Sequence, residues 1–421
     1  MEIIKTIKSY TFVKNILLLS SGGIIAQIIG LLSAPLLSRI YQPMNFGEMG
    51  RIVAITSVIV IIASLKYEIA LVLESNQKSQ NNIFKICIYL LILISFISTI
   101  LISVYFLFIK EDKSMVKILL FVFPIIICQG LYNIMKFYAN SKKKYHSMAT
   151  AQVFQKSGNS IAQISLGFAG FGVFGLLIGH TLGNLLGALV IFKKIKSKLA
   201  GINFISVGSS LKHEVKKYSN FPKFAAPQSF IDTLSSQLPI FFLGFYYGIE
   251  IVGFYYFAMK VIQVPGNILK QSLTKVFLKK ASDLKNESQK LFRLYYMTTF
   301  SLFIIVSIPI SILFFFGPNL FSFIFGSKWI MSGRFASWMF LWIGIAIVNP
   351  PAMNLFHIFN KQKLYMCYSI ILGSLRLIIL FIIPKYYDAM VTISIYSIVT
   401  VICYIFVISG WLLFLKRRQC D

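Results

Sequence analysis

Residues 83–109 read IFKICIYLLILISFISTILISVYFLFI, and this stretch decides the fold. Its one charge is Lys85, and it contains neither glycine nor proline. As an α-helix it would be about 40 Å long, more than the ~30 Å hydrocarbon core of a bilayer. Backbone groups in lipid must bond within their own segment, and unbroken hydrophobicity suits a helix where a barrel strand would alternate. Comparable blocks recur on both sides. The chain has 421 residues, 57% hydrophobic and 13% charged, whereas a soluble domain carries about a quarter charged residues. The sequence therefore predicts an all-α polytopic membrane protein.

Working outward from that block gives twelve predicted spans: 14–38, 45–72, 83–109, 115–138, 148–170, 172–192, 222–246, 250–275, 291–316, 333–357, 364–383 and 387–415. Numbering the loops alternately puts about 22 Lys and Arg on one side against about 6 on the other, and the positive-inside rule makes the rich side cytoplasmic. Lys142 to Lys144, Lys193, Lys194, Lys196, Lys198 and the Lys416–Arg418 tail all fall there, so both termini are expected in the cytoplasm. The net charge of +28 is explained this way and needs no nucleic-acid partner. The first block is too long for a signal h-region, so no cleavable signal is expected. Cys87, Cys128, Cys367, Cys403 and Cys420 have neither disulfide nor zinc spacing.

The longest internal loop divides the chain into an N-terminal lobe (1–195), a cytoplasmic linker (196–220) and a C-terminal lobe (221–421), with six predicted helices in each lobe. The halves carry a faint parallel repeat. Leu37-Ser38-Arg39-Ile40-Tyr41 followed by Gly47 matches Leu243-Gly244-Phe245-Tyr246-Tyr247 followed by Gly253. Two similar halves in one orientation form a transporter architecture, with substrate handled between them.

Several motifs carry a family likeness. Pro35-Leu36-Leu37-Ser38-Arg39-Ile40-Tyr41 with Phe46-Gly47-Glu48 resembles the first hairpin of bacterial polysaccharide-export proteins. Leu65-Lys66-Tyr67-Glu68-Ile69-Ala70-Leu71-Val72-Leu73 resembles a second marker of that family, and Leu238-Pro239, Val252-Gly253-Phe254-Tyr255 and Gln263-Val264-Pro265 fit its seventh and eighth helices. The chain is thus similar to the Wzx-type flippases for O-antigen and capsule repeat units, which share a superfamily with the multidrug and toxin extrusion (MATE) transporters. That resemblance implies a MATE-like fold of two six-helix lobes that open alternately to each side of the bacterial inner membrane. It also implies an undecaprenyl-pyrophosphate-linked oligosaccharide as substrate, with a polysaccharide polymerase and a chain-length regulator as partners.

Charged residues at membrane depth cost about 2.5–3.5 kcal/mol each and by default mark a cavity or pathway. The cationic candidates for a substrate path are Arg51, Lys66, Lys156, Lys260 and Arg376; Lys270 lies nearer an end and reads as snorkelling. Positive charge in a water-filled lumen suits a pyrophosphate or an acidic sugar. On one continuous helix Arg51 and Lys66 would lie about 60° apart in azimuth and about 22 Å apart along the axis. That spacing reads either as a cationic stripe or as two side chains snorkelling to opposite interfaces. Glu68 falls off the shared face and is not expected to pair simply with Lys66. Asp232 and Glu68 are the acids available for proton or sodium coupling; Asp232 also reads as an ion-pair partner of Lys260 that orders the second lobe, or as a lumen contact. Pro35 and Pro239 stand at comparable places in the two halves, as hinges or fixed bends.

Gly170 to Gly175 matches GxGxxG but follows no strand, and Gly175, Gly179 and Gly183 continue as helix-packing spacing. His146, His180, His213 and His357 are scattered, so no metal site is expected, and no cofactor. There is no Walker A, HExxH or GxSxG sequence. The competing readings are a MATE-like drug or metabolite exporter and a membrane polysaccharide polymerase or acyltransferase. The exporter would want a less cationic lumen, and the enzyme a large outer loop that the spans leave no room for.

Overall fold

The structure is a computed structural model that describes residues 2–104, 121–199, 209–284, 287–359 and 361–418, and all regular structure among them is helical. In chain order the helices are α1 (Glu2–Ile40), α2 (Pro43–Val60), α3 (Tyr67–Leu73), α4 (Gln77–Val104), α5 (Val122–Ser141), α6 (Tyr145–Phe168), α7 (Gly172–Leu199) and α8 (Ser209–Lys217). There follow α9 (Ala226–Tyr247), α10 (Ile249–Asp283), α11 (Ser288–Phe325), α12 (Ile330–Val348), α13 (Pro350–Ile358), α14 (Gln362–Ile382) and α15 (Ala389–Arg417). All but α3, α8 and α13 run 18 residues or more, which leaves twelve long helices among the described residues.

Eight of the twelve (α1, α4, α5, α7, α11, α12, α14 and α15) are long and apolar enough to cross a membrane. The other four are too polar to qualify on composition. They hold Glu48 and Arg51 in α2, Lys156 in α6, Asp232 in α9 and Lys260 in α10. Four of the charges singled out from sequence therefore sit on the four helices least at home in lipid. The start of the fourth predicted span and part of the linker lie outside the described residues.

Two predicted spans are divided. The second breaks between Val60 and Tyr67, where Leu65 and Lys66 take left-handed φ of 48° and 63°. Such a conformation costs an L-residue about 1–2 kcal/mol, and no glycine or proline punctuates the break. The tenth divides at Asn349, because Pro350 and Pro351 supply no backbone N–H to continue the ladder and instead open α13. Pro35 and Pro239 both stand inside continuous helices, α1 and α9.

By internal packing the chain forms two compact units, Met1–Tyr41 with Glu48–Gln237, and Gln42–Gly47 with Leu238–Asp421. In the first, α1 lies alongside α6 and in the same direction. Gly22 packs on Ala149, the Ser160 hydroxyl bonds that of Ser33 at 3.1 Å, and the Tyr41 hydroxyl donates to the Gln163 carbonyl at 2.6 Å. Helices α6 and α7 form a hairpin turned by Gly170 and Gly172, both at positive φ, with Gly179 against Gln163 and Gly183 against Asn159. Lipid offers no hydrophobic drive for helix pairing, so close approach at small residues supplies the packing. Helix α8 and the residue that follows it are tied to the start of α3 and to Glu74 just after its end. The Tyr67 hydroxyl donates to the Val215 carbonyl at 3.2 Å, Lys217 pairs with Glu74, and the Tyr218 hydroxyl donates to Glu74 at 2.8 Å.

In the second unit, Phe46, Phe257 and Trp329 form an aromatic cluster, the last two with ring centroids 4.1 Å apart. Beside it the starts of α2 and α10 cross backbone to backbone. A Cβ on Gly47 would collide with the Ile249 carbonyl oxygen, and one on Gly253 with that of Pro43. The pairs 43/249 and 47/253 share an offset of 206 residues, as do Tyr41 and Tyr247. The faint sequence repeat thus returns as a symmetric contact.

Candidate functional site

In the first unit, half-buried Arg51 follows Glu48 by three positions on α2, close enough for its charge to act on that carboxylate. The helix break sends Lys66 elsewhere. Its ammonium lies 3.8 Å from the Glu68 carboxylate, with side-chain exposures of 11% and 7%, and the Ser64 hydroxyl also donates to Glu68. Two expectations are corrected here. Arg51 and Lys66 do not share one helix face, because no continuous helix joins them. Glu68 does pair with Lys66, because the left-handed turn folds the lysine back over the start of α3.

Lys156 projects from α6 across Gly30 of α1, its stem filling the space a side chain would take there. Around it α6 presents a polar face. Gln155 donates to Asn184 Oδ1 at 2.8 Å, Asn184 donates to the His180 carbonyl at 2.9 Å, and Gln163 donates to the Leu176 carbonyl at 2.9 Å. Gly187 is in contact with both Tyr132 of α5 and Gln155, which brings α5 to the same face. There Lys136 lies 5.3 Å from the Tyr132 ring. Sequence reading missed Lys136, which stands near the end of a predicted span where a lysine reads as interfacial. Its signal was the Tyr132 four positions earlier, on the same helix face.

In the second unit, Arg376 of α14 points among side chains of α12 and α15. Its Nε donates to Thr400 Oγ1 and its Nη2 to the Tyr404 hydroxyl, both at 3.3 Å. The guanidinium lies 5.4–6.0 Å from the rings of Trp342, Tyr396 and Tyr404. No ion pair to Arg376 occurs among the described residues, and the sequence makes one hard to build: from 288 to 420 the only acid is Asp388. Asp388 is occupied capping α15, accepting from the Val391 N–H at 2.8 Å. Lys260 lies 5.3 Å from the Phe46 ring. Asp232 is on an exposed face of α9 and belongs to the first unit, while Lys260 belongs to the second. The side chain of Lys270 is outside the described residues.

Lys136, Lys156 and Arg376 thus lie in polar or aromatic surroundings, with no carboxylate paired to them among the described residues. An isolated charge there attracts its counter-charge strongly, since little water screens it. Among the described residues no group of His, Cys, Asp or Glu is arranged to hold a metal ion.

Comparison with known proteins bears on what such an arrangement does. The sequence model of a family described as "Polysaccharide biosynthesis protein" matches residues 36–334. No curated protein matches the chain. Among solved structures, the lipid II flippase MurJ in an inward closed conformation superposes with a TM-score of 0.71 and 15% identity, over 94% of this chain and 87% of that one. An inward-facing MATE multidrug transporter of the MOP superfamily gives 0.63 and 15%, over 93% and 96%. A MOP superfamily transporter from Pyrococcus furiosus, noted for the reverse polarity of its binding pocket, gives 0.61 and 14%, over 96% of each chain. At these identities the likeness speaks for the fold, and it is the MATE-like one expected from sequence.

Proposed function

Since the chain belongs to the polysaccharide biosynthesis proteins and has the fold of MOP superfamily transporters, we propose that it flips undecaprenyl-pyrophosphate-linked oligosaccharide repeat units. Transport runs by alternating access from the cytoplasmic to the periplasmic face of the bacterial inner membrane. The product feeds O-antigen or another surface polysaccharide, with a polymerase and a chain-length regulator acting next. In this reading the lobes are 1–195 and 221–421, the linker 196–220 and both termini are cytoplasmic, and Asp232 is the acid available for ion coupling.

The observation that carries the reading is the positive charge of Lys156 and, above all, of Arg376, neither of which has an ion-pair partner among the described residues. An anionic substrate supplies the missing counter-charge, whereas a cationic drug would be repelled. Arg51, Lys156, Lys260 and Arg376 form the path; Lys66 leaves it, because Glu68 already neutralises it.

The test is genetic and biochemical. Deleting the gene should abolish long-chain surface polysaccharide while the lipid-linked repeat unit still accumulates inside. Polymer still reaching the surface, with no related flippase present, overturns the proposal. Arg376→Ala and Lys156→Ala should lower polymer output about tenfold, the equivalent of about 1.4 kcal/mol, at unchanged membrane abundance. Glu at Arg376 should be worse than Ala, since it repels the substrate.

A further inference from the structure

The surroundings of Arg376 specify more than positive charge. A guanidinium has five N–H donors, and among the described residues only two bonds are made, both to neutral hydroxyls at the long distance of 3.3 Å. Beside it, the indole N–H of Trp342 and the hydroxyl of Tyr368 are buried without a hydrogen-bond partner. Tyr368 precedes Arg376 by eight positions on α14, about 12 Å along the axis, within range of its charge. Buried donors left unmade are costly, about 1–3 kcal/mol each. A cluster with several of them, one cation and no acid lacks acceptors.

The charge count narrows the ligand. Arg376 is the only Lys or Arg between Lys363 and Lys385, and α15 has none before Lys416. Lys363 is thirteen positions away, about 20 Å along the helix, and Arg334 precedes Trp342 by eight positions, about 12 Å. One isolated cation matches one negative charge, not the two or more of a pyrophosphate. A planar guanidinium takes a carboxylate through two parallel bonds. The partly exposed rings of Trp342 and Tyr404 offer apolar faces to the C–H face of a pyranose, and the spare indole N–H and tyrosine hydroxyl suit its oxygens.

We infer that Arg376, Trp342, Tyr368 and Tyr404 form a subsite for a carboxylated sugar of the transported glycan. The lipid pyrophosphate is handled elsewhere. This rests on the flippase reading, and it adds that the repeat unit contains an acidic sugar.

The test is equilibrium binding to the purified full-length protein in detergent, with trigalacturonate, maltotriose and inorganic pyrophosphate as probes. Trigalacturonate should bind at least about tenfold more tightly than maltotriose, a margin of about 1.4 kcal/mol. Arg376→Gln should abolish that preference while leaving pyrophosphate binding unchanged. Arg376→Lys, which keeps the charge and loses the fork, should fall between, and Trp342→Phe, which keeps a ring and loses the donor, should weaken trigalacturonate severalfold. The last two variants carry the test if Arg376→Gln does not fold. Equal binding of maltotriose, trigalacturonate affinity indifferent to all three substitutions, or pyrophosphate binding that is lost with Arg376 would each overturn the subsite. None of these measurements involves transport. A deletion strain that lacks surface polymer beside a protein that ignores trigalacturonate would sink the subsite and leave the flippase reading standing.

Discussion

Lys66 shows how one backbone angle reassigns a charge. At φ 63° its ammonium reaches Glu68, two positions on, and the pair is nearly shielded from water. Removing one member of such a pair leaves the other buried and uncompensated, so Glu68→Gln should destabilise by about 3 kcal/mol. Lys66→Gly in the same chain removes the orphaned charge and suits the left-handed angle, so the double variant should recover much of the loss. Thermal unfolding of the detergent-solubilised protein measures both, and a Glu68→Gln variant as stable as wild type would refute the pairing. The residue types at the candidate site were legible in the sequence, because charge in an apolar block stands out. Their neighbours were not. A helical wheel assumes an unbroken helix, and nothing at Ile61–Lys66 announces the break. The rings around Arg376 come from α12 and α15, and no local pattern links Trp342 or Tyr404 to position 376.

At the scale of elements, α8 is the piece that an ion pair clasps outside the membrane-spanning helices, beside its buried Leu211. The Lys217 ammonium bonded to Glu74, the Asn76 backbone N–H and the Tyr218 hydroxyl hold the Glu74 carboxyl down at about 2, from an ordinary 4.5. Lys217 is pushed upward from 10.5 by the same contact with Glu74. A lowered carboxylate contributes stability above its unfolded pKa and loses it as pH falls through the folded value. A raised lysine contributes below its unfolded pKa and loses its share as pH rises through the folded value. The clasp should therefore hold from about pH 4.5 to about pH 10.5 and loosen on either side. A spin label at exposed His213 (His213→Cys on a cysteine-free background) should keep one line shape across that window and sharpen below it. Glu74→Gln should give the sharpened spectrum at every pH; a label indifferent to both changes would show that α8 is held by something else.

Over the whole molecule the sequence was most informative where physics is least forgiving. The long apolar stretches within helices such as Gln77–Val104 and Ala389–Arg417 have one solution in lipid, so the helical class was legible throughout. The fold of the lobes came from family motifs, since apolar blocks alone do not say which helix packs on which. The charge bias makes a further statement: reporters fused after Lys144, Lys198 and Arg418 should all behave as cytoplasmic. Periplasmic activity at Lys198 would overturn the division into two sets of six helices. The crossing of Gly47 and Gly253 binds the two halves of the sequence in another way. Alanine at either glycine must push the same two backbones apart, at a cost of about 1–3 kcal/mol. Once the first alanine has opened the gap, the second finds room already made. The double variant should therefore cost at least about 1 kcal/mol less than the sum of the singles, measured by thermal unfolding, and strict additivity would show that the contacts yield separately. If coupling is found, positions 206 residues apart are epistatic, and a descendant that fills one glycine becomes free to fill the other.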